Sequence, residues 1–270
     1  MKFVGAKKSL LARPQAHPLV IAWANAVVAN GGTVSAAQAK IRSKFVAAEI
    51  SNGLWAITDD YIGYMAENPI QALTSLKRLV LGTVTALPTF TSQGYSFNGS
   101  TQYASTGYTP SANAVNLTPN SNHIEVLERS GASSGTTSIG ASNGSPRFLL
   151  IQPRNGATMT IGASSAGATF SGAGTPPGLV MGGRNGANTS DIYANRNGAD
   201  LTNTIAAGSV SASLPYVPLW VGALNNAGVI SQPRVCSVCY VAFGAALNPA
   251  QRILRNANVQ TWAASMGALA

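Results

Sequence analysis

The sequence predicts an α+β protein in which a small N-terminal helical cluster precedes an antiparallel β-sandwich and a C-terminal helix. All six lysines lie at or before Lys77, and the apolar residues of this part follow helical spacing. After Tyr95, Asn-Gly pairs at positions 98, 143, 155, 185 and 197 separate short apolar runs. Asn and Gly both tolerate positive φ, so such pairs are typical of tight hairpins. We therefore divide the chain into a basic arm (1–17), a helical docking region (18–86), a β-sandwich (87–247) and a C-terminal helix (248–270).

The arm contains four cations ahead of the apolar run 19–23, and these are Lys2, Lys7, Lys8 and Arg13. A secretory signal has a similar pattern, but we expect this segment to be retained as an ordered arm. The apolar run is too short and too interrupted to span a bilayer. Because an ordered terminus usually lies against something, we expect the four cations to dock the protein on a neighbouring subunit.

Three or four helices are predicted within residues 18–86. Pro18 suits the first position of a helix that ends at the Asn-Gly-Gly sequence of residues 30–32. A capping-box pattern at Ser35–Gln38 begins a second helix, which Gly53 terminates.

A third helix is predicted from apolar residues at helical intervals, which are Leu54, Ile57, Tyr61 and Met65. Asn68-Pro69 ends it and begins a short fourth helix through Leu76. Trp55, Tyr61 and Tyr64 share the apolar stripe, so we interpret these rings as core.

From Leu87 onward the apolar residues alternate with a period of two, which indicates strands. The candidate strands recur about every ten residues, which predicts two packed antiparallel sheets. They are 94–103 with a central turn, 123–129 with Ile124 and Val126 inward, 147–151, 158–161, 179–182, 191–194, 216–222 and 235–243. Asn248-Pro249 then begins a last helix that covers the sheet or returns to the helical part.

Two motifs add a resemblance to these patterns. The stretch Gly94–Tyr103 contains Phe-x-Gly-x-x-x-Tyr at Phe97, Gly99 and Tyr103, and Leu247–Gln251 reads Leu-Asn-Pro-Ala-Gln. Over roughly residues 18–265 the chain resembles tailed-phage and prophage virion proteins, which have a short helical N-terminus and a concanavalin A/laminin G-like jelly roll. In that family the first motif is the opening strand pair of the sandwich and the second begins the final helix.

The resemblance implies a structural or adhesive part of a phage particle, which is a capsid decoration, a collar or baseplate appendage, or a fibre. The implied partners are other virion proteins and copies of the chain itself, with host surface glycan as an additional partner of an adhesin. The implied location is the virion, after synthesis in the host cytoplasm.

Charge argues against nucleic-acid binding. Charged residues make up 9% of the chain, against about 25% in an average protein. The net charge of +9 is spread, with +5 in residues 1–94 (nine basic, four acidic) and +4 in the remainder (eight basic, four acidic). Nucleic-acid sites usually cluster Lys and Arg with aromatics between them. A polar, weakly charged surface suits packing against other subunits.

The sequence offers no complete catalytic or cofactor site. Glu125 and Glu128 are three apart on a strand and should face opposite sides. Asp191 and Asp200 are the remaining carboxylates after Tyr95, and they are weak candidates for a calcium site or a glycosidase pair. Cys236 and Cys239 lie three apart on a predicted strand, so we interpret them as two buried hydrophobes. We expect no cofactor.

The remaining candidates are aromatic rings that stack on sugars or fill interfaces, namely Tyr103, Tyr108, Tyr193, Tyr216 and Trp220. Alternation places Tyr216 and Trp220 on one face of a strand, and the sequence does not say which face is exposed. Three hypotheses follow: a non-enzymatic virion structural protein, a lectin-like adhesin, and, more remotely, a glycan depolymerase.

Overall fold

The computed structural model describes residues 16–131, 133–144, 147–164, 167–172, 178–205 and 213–269. Residues 1–15 of the predicted basic arm, which include its four cations, lie outside these residues. The described part contains α1 (Pro18–Ala29), α2 (Ala36–Ser51), α3 (Leu54–Ile57), α4 (Pro69–Leu73), α5 (Pro110–Asn113), α6 (Pro249–Ser265) and a 3-10 turn (Thr189–Asp191). None of these helices is long and apolar enough to cross a membrane.

Two sheets form the β-sandwich that the sequence predicts. Sheet I contains, in spatial order, β13 (Ala199–Asp200), β12 (Ile192–Arg196), β11 (Gly178–Arg184), β6 (Asn122–Gly131), β18 (Val235–Gly244), β4 (Gly94–Asn98) and β3 (Thr89–Thr91), with β1 (Thr58–Gly63) also paired to β18. Sheet II contains β14 (Asn203–Ile205), β10 (Ala168–Ser171), β9 (Thr158–Ala163), β8 (Phe148–Asn155), β7 (Ile139–Ser142), β15 (Trp220–Val221), β5 (Tyr103–Ser105) and β2 (Thr83–Thr85), with β16 (Leu224–Asn226) beside β7 and β17 (Val229–Ser231) beside β16. The described pairings are antiparallel except for β7 with β16.

Sheet I separates two hydrophobic cores. One lies between the sheets and takes Ile124 and Val126, as predicted. The other lies between sheet I and the helices and takes Leu127 of the same strand. Because successive side chains of a strand point to opposite faces, β6 supplies both cores. The helices α1, α2 and α6 therefore cover one face of sheet I.

The predicted third helix is wrong beyond its first turn. Residues after Ile57 form β1, which pairs with β18 from Thr58 to Gly63. Tyr61 packs toward the helices and Ile62 toward the other sheet, which is strand alternation. Pairing with β18 and burial on both faces favoured a strand here over the coincidental helical spacing of the apolar residues. With β2, the predicted helical docking region thus contributes a strand to each sheet.

The predicted strand 216–222 is reduced to the two residues of β15. Pro215 and Pro218 flank its expected start, and a proline removes a backbone donor from the ladder.

The Asn-Gly pairs also differ in role. Asn197 and Gly198 both have positive φ in the tight hairpin between β12 and β13, whereas Asn98-Gly99 connects strands of different sheets.

A buried guanidinium joins the helices to the sheet. Arg255 of α6 contacts Glu49 of α2 at 3.0 Å, pairs with Glu125 of β6, and donates to Thr58 Oγ1 of β1 at 2.6 Å. Arg255, Glu49 and Glu125 are fully buried. Burial raises the pKa of Glu49, although Arg255 opposes this, and the two carboxylates hold the pKa of Arg255 above its ordinary value despite burial.

We expect Arg255→Met to reduce the free energy of unfolding by about 3–5 kcal/mol, because it leaves two buried carboxylates without their cation. Urea unfolding followed by circular dichroism measures this loss. The triple variant Glu49→Gln, Glu125→Gln, Arg255→Met should recover much of it. The control is Arg147→Gln, an exposed site that should change stability by less than about 0.5 kcal/mol. A loss below about 1 kcal/mol for Arg255→Met would contradict the role assigned to this residue.

Candidate functional site

The carboxylates of the chain are used inside the fold. All eight acidic side chains lie in the described residues, and the five buried ones are Glu49, Asp59, Asp60, Glu125 and Glu128. Asp59, for example, accepts hydrogen bonds from the backbone N–H groups of Val115, Asn116 and Leu117 and from the hydroxyl of Tyr108. It anchors a loop. Glu67, Asp191 and Asp200 reach the surface.

Asp191 and Asp200, the weak metal candidates, serve separate local roles. Asp191 Oδ2 accepts from the backbone N–H of Asn188 at 2.7 Å and caps the 3-10 turn. Asp200 accepts from Arg252 at 2.7 and 2.5 Å and from Asn195 at 2.8 Å. Partial burial opposes its charge, but these hydrogen bonds lower the pKa of Asp200. The described residues contain no group of three or more acidic, His or Cys side chains that could hold a metal ion.

Glu125 and Glu128 face opposite sides of β6, as predicted. Glu125 lies on the helix side with Arg255 and the Tyr240 hydroxyl. Glu128 lies on the other side, where Arg234 donates to it at 2.8 and 3.1 Å. Each carboxylate has its own buried arginine, so the two do not form an acid/base pair.

The cysteine pair also behaves as predicted. Cys236 belongs to the core between the sheets and Cys239 to the core beneath the helices, and both thiols are free. Burial raises the pKa of Cys239 to about 12 and that of Cys236 well above its ordinary range. Since the thiolate is the reactive species, both thiols are poor nucleophiles.

Two of the five candidate rings are fixed inside the fold. Tyr108 is fully buried, and its hydroxyl donates to Asp59 Oδ2 at 2.6 Å. The ring of Tyr193 lies under the Arg252 guanidinium at 4.3 Å, and its hydroxyl accepts from the Leu247 N–H at 3.0 Å. Tyr193 is half-buried and fixes the start of α6, whereas the fully buried Tyr108 is not available as a sugar platform.

Tyr103 and Trp220 form a stacked pair on the outer face of sheet II. Their ring centroids are 3.7 Å apart with planes 16° from parallel. Their strand neighbours Ala104 and Val221 belong to the core between the sheets, so the pair points the other way. Trp220 is only 7% exposed. The pair stabilises the sheet and presents mainly the half-buried Tyr103 to solvent.

Tyr216 is the candidate ring that the fold leaves open, with 58% of its surface exposed. Its backbone N–H donates to Asn143 Oδ1 at 2.6 Å. The Arg147 guanidinium lies 5.7 Å from its ring centroid and donates to Ser213 Oγ at 2.7 Å. We call Asn143, Arg147, Ser213 and Tyr216 the Tyr216 patch. An exposed ring beside guanidinium and amide groups has the chemistry of a sugar site.

The sequence did not reveal the partners of Tyr216. Asn143 was identified only as part of an Asn-Gly turn, and Arg147 only as the start of a strand. The hairpin between β7 and β8 brings both to Tyr216, which is some seventy residues further along the chain. A patch assembled from loops carries no short-range sequence pattern, so no local signal could have identified it.

The outer face of sheet II carries apolar side chains at Leu150 and Trp220 beside polar ones, and the described helical core packs on sheet I instead. A row of half-buried threonine side chains crosses it at Thr160 and Thr169, which are directly opposite each other. Beside them, Gln152 Nε2 and Thr137 Oγ1 both donate to Gln232 Oε1 at 2.7 Å. This part of the face is thus rich in hydroxyl and amide groups.

Comparisons with protein-family models and with curated proteins give no match. Solved structures do match. A mutant of Trypanosoma rangeli sialidase with trans-sialidase activity has a TM-score of 0.52 and 14% identity over 83% of this chain and 40% of its own. T. rangeli sialidase in complex with sialic acid has a TM-score of 0.50 and 13% identity over 76% and 33%. Domain 4 of AbnA, a GH43 extracellular arabinanase from Geobacillus stearothermophilus, in complex with arabinotriose, has a TM-score of 0.47 and 10% identity over 73% and 97%.

The chain therefore spans between a third and two-fifths of the length of these two sialidase chains. At such low identity the sialidase matches show a shared β-sandwich fold, and fold alone does not determine function. The resemblance to phage virion proteins stays a prediction.

We expect Trp220→Ala to lower the free energy of unfolding by about 3–5 kcal/mol, because it opens a cavity beneath Tyr103. Tyr216→Ala should change it by less than about 0.5 kcal/mol, because that ring is exposed. Urea denaturation of the two variants beside the parent protein measures both values. If Trp220→Ala were as stable as Tyr216→Ala, the assignment of Trp220 to the fold would be wrong.

Proposed function

We propose that this protein is a non-enzymatic structural component of a tailed-phage virion, docked through its N-terminal region with the sandwich facing outward. The observation that carries the proposal is that the two outer faces of the sandwich differ. Helices cover sheet I, while the outer face of sheet II has no described helix on it. The backbone N–H of His17 donates to Ser43 Oγ of α2 at 2.8 Å, so the basic arm joins the fold on the helical side.

The positions of the two resemblance motifs support the proposal. Phe97 packs in the core between the sheets, Gly99 has φ +69° against Val235, and Tyr103 begins β5. Asn248 caps α6 through a capping box with Gln251. The first motif differs in one respect from the expected strand pair, because β4 and β5 belong to different sheets.

The surface charge also supports a subunit of an assembly. Five of the eight carboxylates are buried, whereas Lys40, Lys44 and Arg147 are exposed. The exposed surface thus carries neutral polar groups and cations.

The burial of most carboxylates also favours a non-enzymatic role over a depolymerase, which needs two accessible carboxylates on either side of the bond that it cleaves. Release of reducing sugar from host polysaccharide would count against that choice.

Immunogold electron microscopy with antibody against residues 95–270 tests the virion proposal. We expect label on intact particles, over the capsid for a decoration and at the tail for an appendage or fibre. Unlabelled particles from a lysate that contains the protein would refute it.

Deletion of residues 2–15 tests the docking role of the arm. We expect occupancy on particles to fall at least tenfold, the effect of about 1.4 kcal/mol in binding, while the unfolding curve stays unchanged. Lys40→Gln is the control for loss of a surface cation. Occupancy equal to that of the full chain would show that docking does not use the arm.

A lectin-like adhesin is the second candidate, and the Tyr216 patch favours it. The shared fold adds support, since one structural neighbour is a sialidase in complex with sialic acid. The two roles are compatible, because the patch belongs to sheet II and the proposed docking side to the helices.

Glycan-array binding tests the adhesin role with Tyr216→Ala and Arg147→Gln. We expect each to lower binding about tenfold, as loss of one stacking or charged contact in a sugar site would. Val115→Ser is the matched control, since Val115 is 84% exposed and lies on a different loop. Unchanged binding by Tyr216→Ala, or an array with no bound glycan, would reject the patch as a glycan site.

A further inference from the structure

A groove of about 160 Å³ runs between α2 and α6 on the helical side of the molecule. Its floor consists of Phe45 and Trp262, and Ile41 and Ala48 form one wall. Lys44 and Thr261 lie at its rim. An apolar cavity of about 150 Å³ accommodates benzene, so this groove has room for one large apolar side chain.

The floor is held rigid from below. The rings of Phe45 and Trp262 stack with centroids 4.3 Å apart and planes 26° from parallel. The far edge of the indole lies against Gly63, where an added Cβ would come within 2.3 Å of it. Arg42 lies 5.2 Å from the indole centroid. A preformed aromatic floor reduces the entropy lost on binding.

Two polar groups at the groove have no partner in the described part of the chain. The indole N–H of Trp262 is buried and donates to no acceptor there. Lys44 is exposed and belongs to none of the ion pairs found among the described residues, and no acidic side chain lines the groove. The groove therefore offers an apolar floor with a cation at its rim.

We propose that this groove binds a segment of a partner protein in which one large apolar side chain is followed by a carboxylate. The apolar side chain covers Phe45 and Trp262, and the carboxylate pairs with Lys44 at the rim. Lys40, four residues earlier on the same helix face, extends the positive charge. The inference rests on the proposed function in one respect only, which is that the helical side of the molecule faces the particle.

A second copy of this chain is the wrong occupant. None of its acidic side chains offers a free carboxylate, because five are buried and the other three are bonded within the fold. Glu67, which is exposed, accepts from the Ser35 N–H at 3.1 Å and from Gln71 at 3.0 Å. Charge complementarity thus requires a different protein, in which acidic side chains reach the surface.

Titration with capped peptides tests the inference without particles, so its outcome is independent of the virion proposal. The probe is acetyl-Gly-Ser-Leu-Asp-Gly-Ser-amide, and matched peptides carry Asn or Lys in place of Asp. The four tryptophans give separate indole N–H signals in nitrogen-15 correlation spectra, and Trp262→Phe identifies the relevant one.

We expect the Leu-Asp peptide to shift the Trp262 indole signal and the Lys peptide not to shift it. Lys44→Gln should weaken binding about fivefold, the upper range for an exposed ion pair. Lys40→Gln, whose side chain does not line the groove, should weaken it less. Ala48→Phe should fill the groove and abolish the shift.

Three outcomes would overturn the inference. The first is no shift of the Trp262 signal at millimolar Leu-Asp peptide. The second is equal affinity for the Asp, Asn and Lys peptides, which would leave no role for charge. The third is a concentration-dependent dimer in sedimentation that Ala48→Phe abolishes, since a second copy would then occupy the groove.

Discussion

The guanidinium of Arg255 holds the helical layer to the sandwich. It lies where α6, α2, β1 and β6 meet, and the carboxylates of Glu49 and Glu125 approach it from opposite layers. Burying three charges together is costly, and here the two carboxylates and the guanidinium offset one another across the layers. Similar internal pairs use Glu128 with Arg234 and Asp200 with Arg252. Most of the few acidic side chains thus lie in ion pairs or hydrogen bonds within the fold, and five of the arginines are also buried.

The fold class followed from the sequence because periodicity and turn chemistry agree over most of the chain. The hairpin at Asn197-Gly198, the cap at Asn248 and the alternation along β6 all lie where local rules place them. β1 was missed because both of its faces are buried, one by helices and one by sheet II, so its apolar residues gave no clear period of two. Local pattern cannot reveal how many layers cover a strand.

The candidate site was less predictable, for a physical reason. Ring type identified Tyr216, Tyr193 and Trp220 equally, but exposure depends on which distant segment covers each ring. Arg252 covers Tyr193 and Tyr103 stacks on Trp220, whereas Tyr216 gains only Arg147 at its edge. The groove between α2 and α6 similarly joins helices some two hundred residues apart. The buried cysteines were predictable, because strand alternation alone determines their faces.

The place of β18 in sheet I has a consequence for biosynthesis. This strand pairs with β1, β4 and β6, yet it occupies residues 235–244 of the 270-residue chain. On the ribosome, β1, β4 and β6 lack this neighbour until residues 235–244 have been made, and Arg255 follows later still. Contacts between residues so far apart form slowly. The sandwich therefore closes only after β18 has been made, and until then the strand edges that it will cover are open to wrong pairings.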